Sequence, residues 1–304
     1  MNKKNKIQTS ASRKVFQVFN YLLMLGIAFI CIYPFWYIII YTFSEARLAD
    51  VNPPVFLPRG FSLSNYKDIF ELNGFFHSLF ISVLRTVVGT FASVLSCSFL
   101  GYLFTKEEMP ARKLMYRFLI LTMYVSGGMI ATYIVVKSYG LLNNFWVYIL
   151  PMLISAYNIV LIKTFVEQLP ASLEESAKLD GAGYLTVFTK IILPLSKPII
   201  ATVAVFVAVN HWNSWFDNHI YARGNESLTT LQYLLYNYLN EAQRLADQIK
   251  NTTNAAGMSQ ISTSISPKGV RMTITVLASL PIFMVYPFMQ KYFVKGIMVG
   301  AVKG

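Results

Sequence analysis

Charged side chains are scarce in this chain. They make up 13% of its 304 residues, about half the ~25% usual in a soluble domain. Acids are the rarer sign, 14 against 26 lysines and arginines, so the net charge is +12. Cysteine is nearly absent. Cys31 and Cys97 both lie inside apolar runs, which excludes a disulfide framework. The three histidines, His77, His211 and His219, lack the spacing of a His/Cys metal site, and no metal is expected. No Gly-x-x-x-x-Gly-Lys-Ser/Thr sequence occurs, so this chain holds no ATP by that route and needs no cofactor of its own. The acidic pairs Glu107-Glu108 and Glu174-Glu175 come without a nucleophile or metal ligands, so no catalytic constellation forms.

What is abundant is apolar surface. Hydrophobic residues reach 55% and the mean hydropathy is +0.49, which excludes a disordered chain. A helix that crosses a bilayer needs roughly 20 mostly apolar residues. Six stretches qualify: 16–43, 75–104, 115–136, 141–165, 195–215 and 270–292. The sequence therefore predicts an all-α integral membrane protein with six transmembrane helices. The third and fourth are separated only near 137–140 and should form a tight hairpin. The first run of 28 residues is longer than the ~7–15 of a signal-peptide core, and no small-x-small cleavage site follows, so it reads as an uncleaved span.

Basic residues set the orientation. With the N-terminus inside, the inner segments hold 16 of the 26 lysines and arginines and the outer segments nine; Arg85 falls within the second span. The positive excess is then a topology signal rather than a nucleic-acid footprint. Residues 1–14 become a cytoplasmic tail, 15–295 the six-helix membrane domain and 296–304 a second cytoplasmic tail, in the cell membrane. Two outer segments are long. The segment 44–74 carries the turn signals Asn52-Pro53-Pro54 and Pro58-Arg59-Gly60. Within 217–269, residues 227–249 place Leu228, Leu231, Leu234, Leu235, Tyr238 and Leu239 on one helical stripe, and 251–266 reads as a polar loop. That stripe either packs on the chain's own outer helix ends or meets a partner.

The inner segment 167–198 is the most informative. Ser172 with Glu175 has capping-box spacing and predicts a helix over 173–180. Gly181-Ala182-Gly183 ends it, and a second short helix over 184–193 runs up to Pro194. Two readings fit the residues: an amphipathic loop on the membrane surface, with Lys178, Lys190 and Lys197 at the headgroups, or a rigid knob inserted into a partner.

The spacing Glu175-Ser176-Ala177, then Gly181, then Ile191-x-Leu193-Pro194 resembles the EAA motif of ABC importer permeases, with Ser176 for the usual first alanine. Leu169-Pro170, Asp180-Gly181-Ala182, Leu193-Pro194-Leu195-x-Lys197-Pro198, the 211–217 stretch and the C-terminal 290–304 are similar to its carbohydrate branch. The chain looks like a MalG-type permease, nearest the LplC-like subgroup for oligo- and polysaccharides, over nearly all its length outside 225–266. The resemblance implies a type I ABC importer transmembrane domain that moves an oligosaccharide into the cell by alternating access. It implies a second homologous permease, two ATP-binding subunits that carry the ATP and magnesium, an extracellular solute-binding protein, and no nucleic acid. Glu174, Glu175, Ala177, Asp180 and Gly181 would couple the permease to the ATPase, Glu175 being the polar contact and Gly181 the turn.

For the substrate pathway the candidates are Tyr157 and Asn158 in the fourth span, and Trp212, Asn213, Trp215 and Asp217 at the outer end of the fifth. Polar groups within a span usually face the protein interior or a water-filled path. The tryptophans fit an interfacial aromatic belt as well, and Asn158 and Asn210 fit helix–helix hydrogen bonds. Arg85 should snorkel or meet a buried carboxylate. Competing classes are an amino-acid or peptide importer permease and a stand-alone secondary transporter; the second would favour charged coupling residues in the spans, where only Arg85 lies.

Overall fold

The computed structural model describes residues 11–252 and 266–301. Their regular structure is helical, and among these residues the only extended pairing is a single antiparallel bridge between Ser44 and Phe61. In chain order the α-helices are α1 (Ala11–Thr42), α2 (Ala46–Val51), α3 (Ser64–Phe70), α4 (Phe75–Leu103), α5 (Arg112–Tyr124), α6 (Gly128–Ser138), α7 (Ala156–Val166), α8 (Ala171–Leu179), α9 (Tyr184–Val187), α10 (Leu193–Leu195), α11 (Lys197–Asn213), α12 (Phe216–Tyr221), α13 (Leu231–Thr252) and α14 (Pro267–Ala301). Short 3₁₀ turns at Phe145–Tyr148, Leu150–Met152 and Glu226–Leu228, and a π turn at Phe188–Ile192, complete the path.

Three spans are continuous and apolar enough to cross a bilayer: Arg13–Thr42, Phe75–Leu103 and Pro267–Val285. Two more are bent. Phe145–Met152 meets Ala156–Val166 at 50°, and Tyr184–Leu195 meets Lys197–Asn213 at 83°. The stretch read as a third straight span, 115–136, is instead interrupted between α5 and α6. Ser126 Oγ accepts the Gly128 amide at 3.2 Å, and a glycine pair is a poor helix former, so local bonding replaces the helical ladder there. The fourth span also begins as 3₁₀ turns because Pro151 cannot donate to a helical ladder. The outer segment 44–74, read as turns, contains two short helices, α2 and α3.

Contacts divide the chain into two compact units, one of Met1–Ile69 with Ala242–Leu277, the other of Phe70–Glu241 with Ala278–Gly304. In the first, Asn65 is buried and its amide donates to the carbonyls of Thr42 and Ser44, both at 3.1 Å. That fixes the chain's exit from α1. Tyr41 donates to Asp50, and the Lys268 ammonium lies 4.9 Å from the Tyr41 ring.

The second unit holds the main core. Cys97 and Tyr102 of α4, Ile159 and Ile162 of α7, Val187 and Phe188, and Val203 of α11 are all buried together. At Gly89 α4 lies close against His211 of α11. A Cβ there would lie 2.5 Å from His211 Nε2, so a side chain larger than hydrogen cannot fit. The segment read as flexible, 251–266, lies mostly outside the described residues, as do 1–10 and 302–304. The side chains of the 290–304 motif lie outside them too. The helix α14 runs to Ala301.

Candidate functional site

Two parts of the second unit gather the residues singled out in the sequence. The first is the elbow formed by α8, Gly181 and α9. The helix α8 starts at Pro170 rather than Ser172, and its N-cap makes no side-chain hydrogen bond. The expected capping box is therefore not formed: Pro170 holds the extended cap conformation two residues earlier, which places Ser172 inside the first turn. At the other end the expectation of a sharp turn holds. The Ala182 amide donates to Ala177 O at 2.9 Å and the Gly181 amide to Lys178 O at 3.0 Å, the pair of bonds that closes a helix with a left-handed residue. Gly181 takes φ +81°, a conformation that costs other residues strain.

The two acids of α8 have different surroundings. Glu174 is half-buried and held inward: Lys106 Nζ pairs with it, Tyr102 OH donates to it at 3.4 Å, and Lys178 Nζ lies 3.4 Å away. Lys178 also reaches Glu108 at 3.2 Å. The Lys178 ammonium is held above its ordinary range, mainly by the hydrogen bond to Glu108. The Glu108 carboxyl is held below its range, first by its own backbone amide and then by Lys178. Glu175 and Asp180 are exposed, and Ala177 packs against the core from the edge. Leu179, beside them, is 90% exposed. Glu174 is thus a fastener between α8 and the end of α4, and Glu175 is the acid presented outward.

The second part is a partly open polar cavity of about 260 Å³ lined by residues of α4, α7 and α11. Ser93, Ser155, Tyr157, Asn158, Asn210 and His211 supply its polar atoms, and Met152, Phe206 and Val207 its apolar wall. Ser155 caps α7 by accepting the Asn158 amide at 3.4 Å, which sets Asn158 on the first turn facing inward. Of the pathway candidates, only Tyr157 and Asn158 come together here.

The others are placed elsewhere. Trp212 is buried and its indole N–H donates to Ala278 O at 2.8 Å, tying α11 to α14. Trp215 stacks on Tyr236 with ring centroids 4.0 Å apart. Asn213 is exposed at the end of α11. Asp217 forms a buried two-pronged ion pair with Arg85, one arm of which measures 3.2 Å. Arg85 is wholly buried, donates to Ser214 O at 3.2 Å, and lies 4.5 Å from the Tyr148 ring. Of the two fates open to Arg85, the carboxylate partner is the one realised.

His211 and Ser93 were not singled out as site residues by the sequence. Their signal was weak: one histidine next to Asn210 in an apolar run, and one serine among several in α4.

Around this cluster the outer connection is stitched down. Asn218 Oδ1 accepts the Thr230 amide at 2.7 Å, Ser82 Oγ accepts the Leu231 amide at 2.8 Å, and Tyr148 OH donates to Leu228 O at 2.7 Å. The apolar stripe of α13 begins there, with Leu231, Tyr233 and Leu235 buried. Of the two roles open to that stripe, packing on the chain's own helix ends is the one observed.

A family model for binding-protein-dependent transport system inner membrane components matches residues 97–299. The chain is 42% identical over 298 residues to protein LplC of Bacillus subtilis (strain 168), covering 97% of both. It is 36% identical over 293 residues to the polygalacturonan/rhamnogalacturonan transport system permease protein YtcP of the same organism, covering 96% of this chain and 99% of that one. A crystal structure of a bacterial ABC transporter involved in the import of the acidic polysaccharide alginate superposes with a TM-score of 0.76 at 27% identity, over 94% of this chain and 99% of its own.

Proposed function

Since the chain belongs to the family of binding-protein-dependent transport system inner membrane components, we propose that it is the permease subunit through which an importer takes up an oligosaccharide. The permease pairs with a second, homologous one. Two ATP-binding subunits beneath them bind ATP with magnesium and hydrolyse it. An extracellular solute-binding protein delivers the saccharide, and alternating access moves it inward. The substrates for which YtcP and the alginate importer are named support the saccharide class. Both termini lie in the cytoplasm, an orientation supported by the 16-to-9 division of basic residues.

The observation that carries the reading is the elbow at Gly181. It offers an outward acid, Glu175, beside the exposed apolar side chains of Leu179 and Leu185, the latter 65% exposed. An exposed apolar tip beside a charge is a surface suited to insertion into a protein groove. Its other side is anchored to α4 through Glu174, Lys106 and Tyr102. A rigid-body movement of the ATPase is then passed to the span that carries Arg85, Gly89 and Ser93. In this assignment Glu175, Asp180 and Gly181 meet the ATPase, while Glu174 and Ala177 hold the elbow to the membrane domain. Tyr157 and Asn158 line the saccharide's path. Trp212, Trp215 and Asp217 support the outer end of that path, with Asn213 at its rim.

The test is a purified complex of all subunits in lipid. Saccharide-loaded binding protein should raise its ATP hydrolysis and drive uptake. A Gly181→Val complex of normal subunit stoichiometry should lose both. Normal stimulation and uptake by that variant would remove the elbow from the coupling route.

A further inference from the structure

Among the described residues six buried side-chain polar atoms lack a hydrogen-bond partner, and of these His211 Nδ1 belongs to the polar cavity. His211 is 1% exposed, and its Nδ1 has no hydrogen-bond partner among the described residues. The other side of the ring, carrying Nε2, is pressed against Gly89. A buried ring nitrogen left bare is unfavourable, and such a group in a transport protein calls for a partner that arrives from outside. His211 lines the same cavity as Asn158, which is buried, and Asn210, which is exposed on α11. Neither amide side chain makes a hydrogen bond among the described residues. An exposed asparagine within a span belongs on a water-filled path or a protein contact rather than in lipid.

The chemistry of this lining is specific. Amides and a neutral imidazole both donate and accept, as sugar hydroxyls do. Phe206 and Tyr157, 44% and 52% exposed, offer ring surface to the C–H face of a sugar. The volume of about 260 Å³ lies just under the ~300 Å³ at which sites for drug-sized ligands begin, room for one ring and not for a chain. None of the lining side chains bears a formal charge other than what His211 can take up. The buried cation of this unit, Arg85, is already occupied by Asp217. A carboxylate entering the cavity would meet no fixed cation among the lining side chains, and His211 would have to take up a proton to balance it.

We infer that the cavity bounded by Ser93, Asn158, Asn210 and His211 is a binding site for a single uncharged pyranose ring of the transported saccharide, and that it disfavours a uronate ring. This rests on the reading of the chain as a saccharide permease.

The test uses the assembled importer in lipid nanodiscs without its binding protein, so that selection by that protein does not enter. Galactotriose, maltotriose and trigalacturonate are compared by ligand-observed saturation-transfer NMR. The galactotriose is the α-(1→4)-linked one, so that it differs from trigalacturonate only in the oxidation state at C6. At least one neutral trisaccharide should bind and trigalacturonate should not. Asn158→Leu and, separately, Asn210→Leu should each weaken the neutral sugar about tenfold in complexes of unchanged subunit stoichiometry. Asn210 is exposed, so its replacement does not disturb the core. Binding of trigalacturonate as tight as that of galactotriose, no binding of either neutral sugar, or neutral binding untouched by both substitutions overturns the inference. In each of those cases the parent reading stands if loaded binding protein still stimulates ATP hydrolysis. A complex that no saccharide-loaded binding protein stimulates overturns both.

Discussion

A guanidinium cut off from water has to be neutralised where it sits, and Arg85 meets that demand through Asp217, 132 residues along the chain. Removing one member of such a pair leaves the other as an uncompensated buried charge, at a cost of about 3–5 kcal/mol. Asp217→Asn should therefore lower the thermal unfolding midpoint of the purified complex sharply. Joint replacement, Arg85→Met with Asp217→Leu, should recover most of the loss; a double variant as unstable as the single one would contradict the pairing argument. At Gly181 the difficulty is conformational, because a Cβ there would touch nothing within 4 Å in this chain. Asn tolerates φ +81°, whereas a β-branched residue does not. Gly181→Asn should thus leave α8 intact by hydrogen exchange, while Gly181→Val should unfold the elbow. Coupling lost in Gly181→Asn with α8 intact would locate the missing space on the ATPase. Glu175→Ala removes no cap, since α8 is capped at Pro170, and should shift stability by no more than about 0.5 kcal/mol while lowering stimulated ATP hydrolysis.

Among the elements, α8 depends most on charge. Its anchors run through Lys106–Glu174 and Glu108–Lys178–Glu174. The lowered carboxyl of Glu108 supports attachment above its unfolded pKa, near 4.3, and that support is lost as pH falls through the still lower folded value. The raised ammonium of Lys178 supports attachment below its unfolded pKa, near 10.4, and that support is lost as pH rises through its higher folded value. The distance between spin labels on α8 and on the segment that follows α4 should stay constant across the neutral range and widen only at the two extremes. Widening between about pH 6 and 8 would show that another titrating group, not this pair, controls the attachment. The amphipathic helix α13 presents a different case. Its stripe is used inside the chain, so a crosslinker at Leu235, 1% exposed, should not reach the binding protein. One at exposed Asn237 should, and capture from Leu235 instead would mean that α13 lifts off.

For the whole molecule, the membrane class follows from composition alone, because hydropathy is a sum over residues and survives any rearrangement of them. The orientation is similar: reporter fusions after Arg112 and Lys303 should read cytoplasmic and one after Gln248 external, and an external signal at Lys303 would break the six-span topology. The shape of individual spans was less legible. The sequence shows α1, α4 and α14 as long apolar runs, and they are continuous helices. It also shows 115–136 and 141–165 as runs of the same kind. The structure interrupts the first at Ser126 to Gly128 and bends the second between Met152 and Ala156. Hydropathy averages over those residues, whereas a backbone ladder is broken by a single one of them.

The sequence by itself determined that this chain lives in a bilayer and that 167–198 folds as short helices about a glycine turn. Both are written in neighbouring residues: an apolar run, and a glycine at a fixed distance from a proline. Only the tertiary structure decided the division of labour among the polar groups. Glu174 turned inward and Glu175 outward because Lys106 and Tyr102 stand at the end of α4. Asp217 went to Arg85, Trp212 to the α14 backbone, and Tyr157 and Asn158 to a cavity shared with His211 and Ser93. Those pairings depend on which helix faces meet, and packing alone sets that, since a buried donor or charge must be satisfied by whatever the neighbouring helix brings within reach.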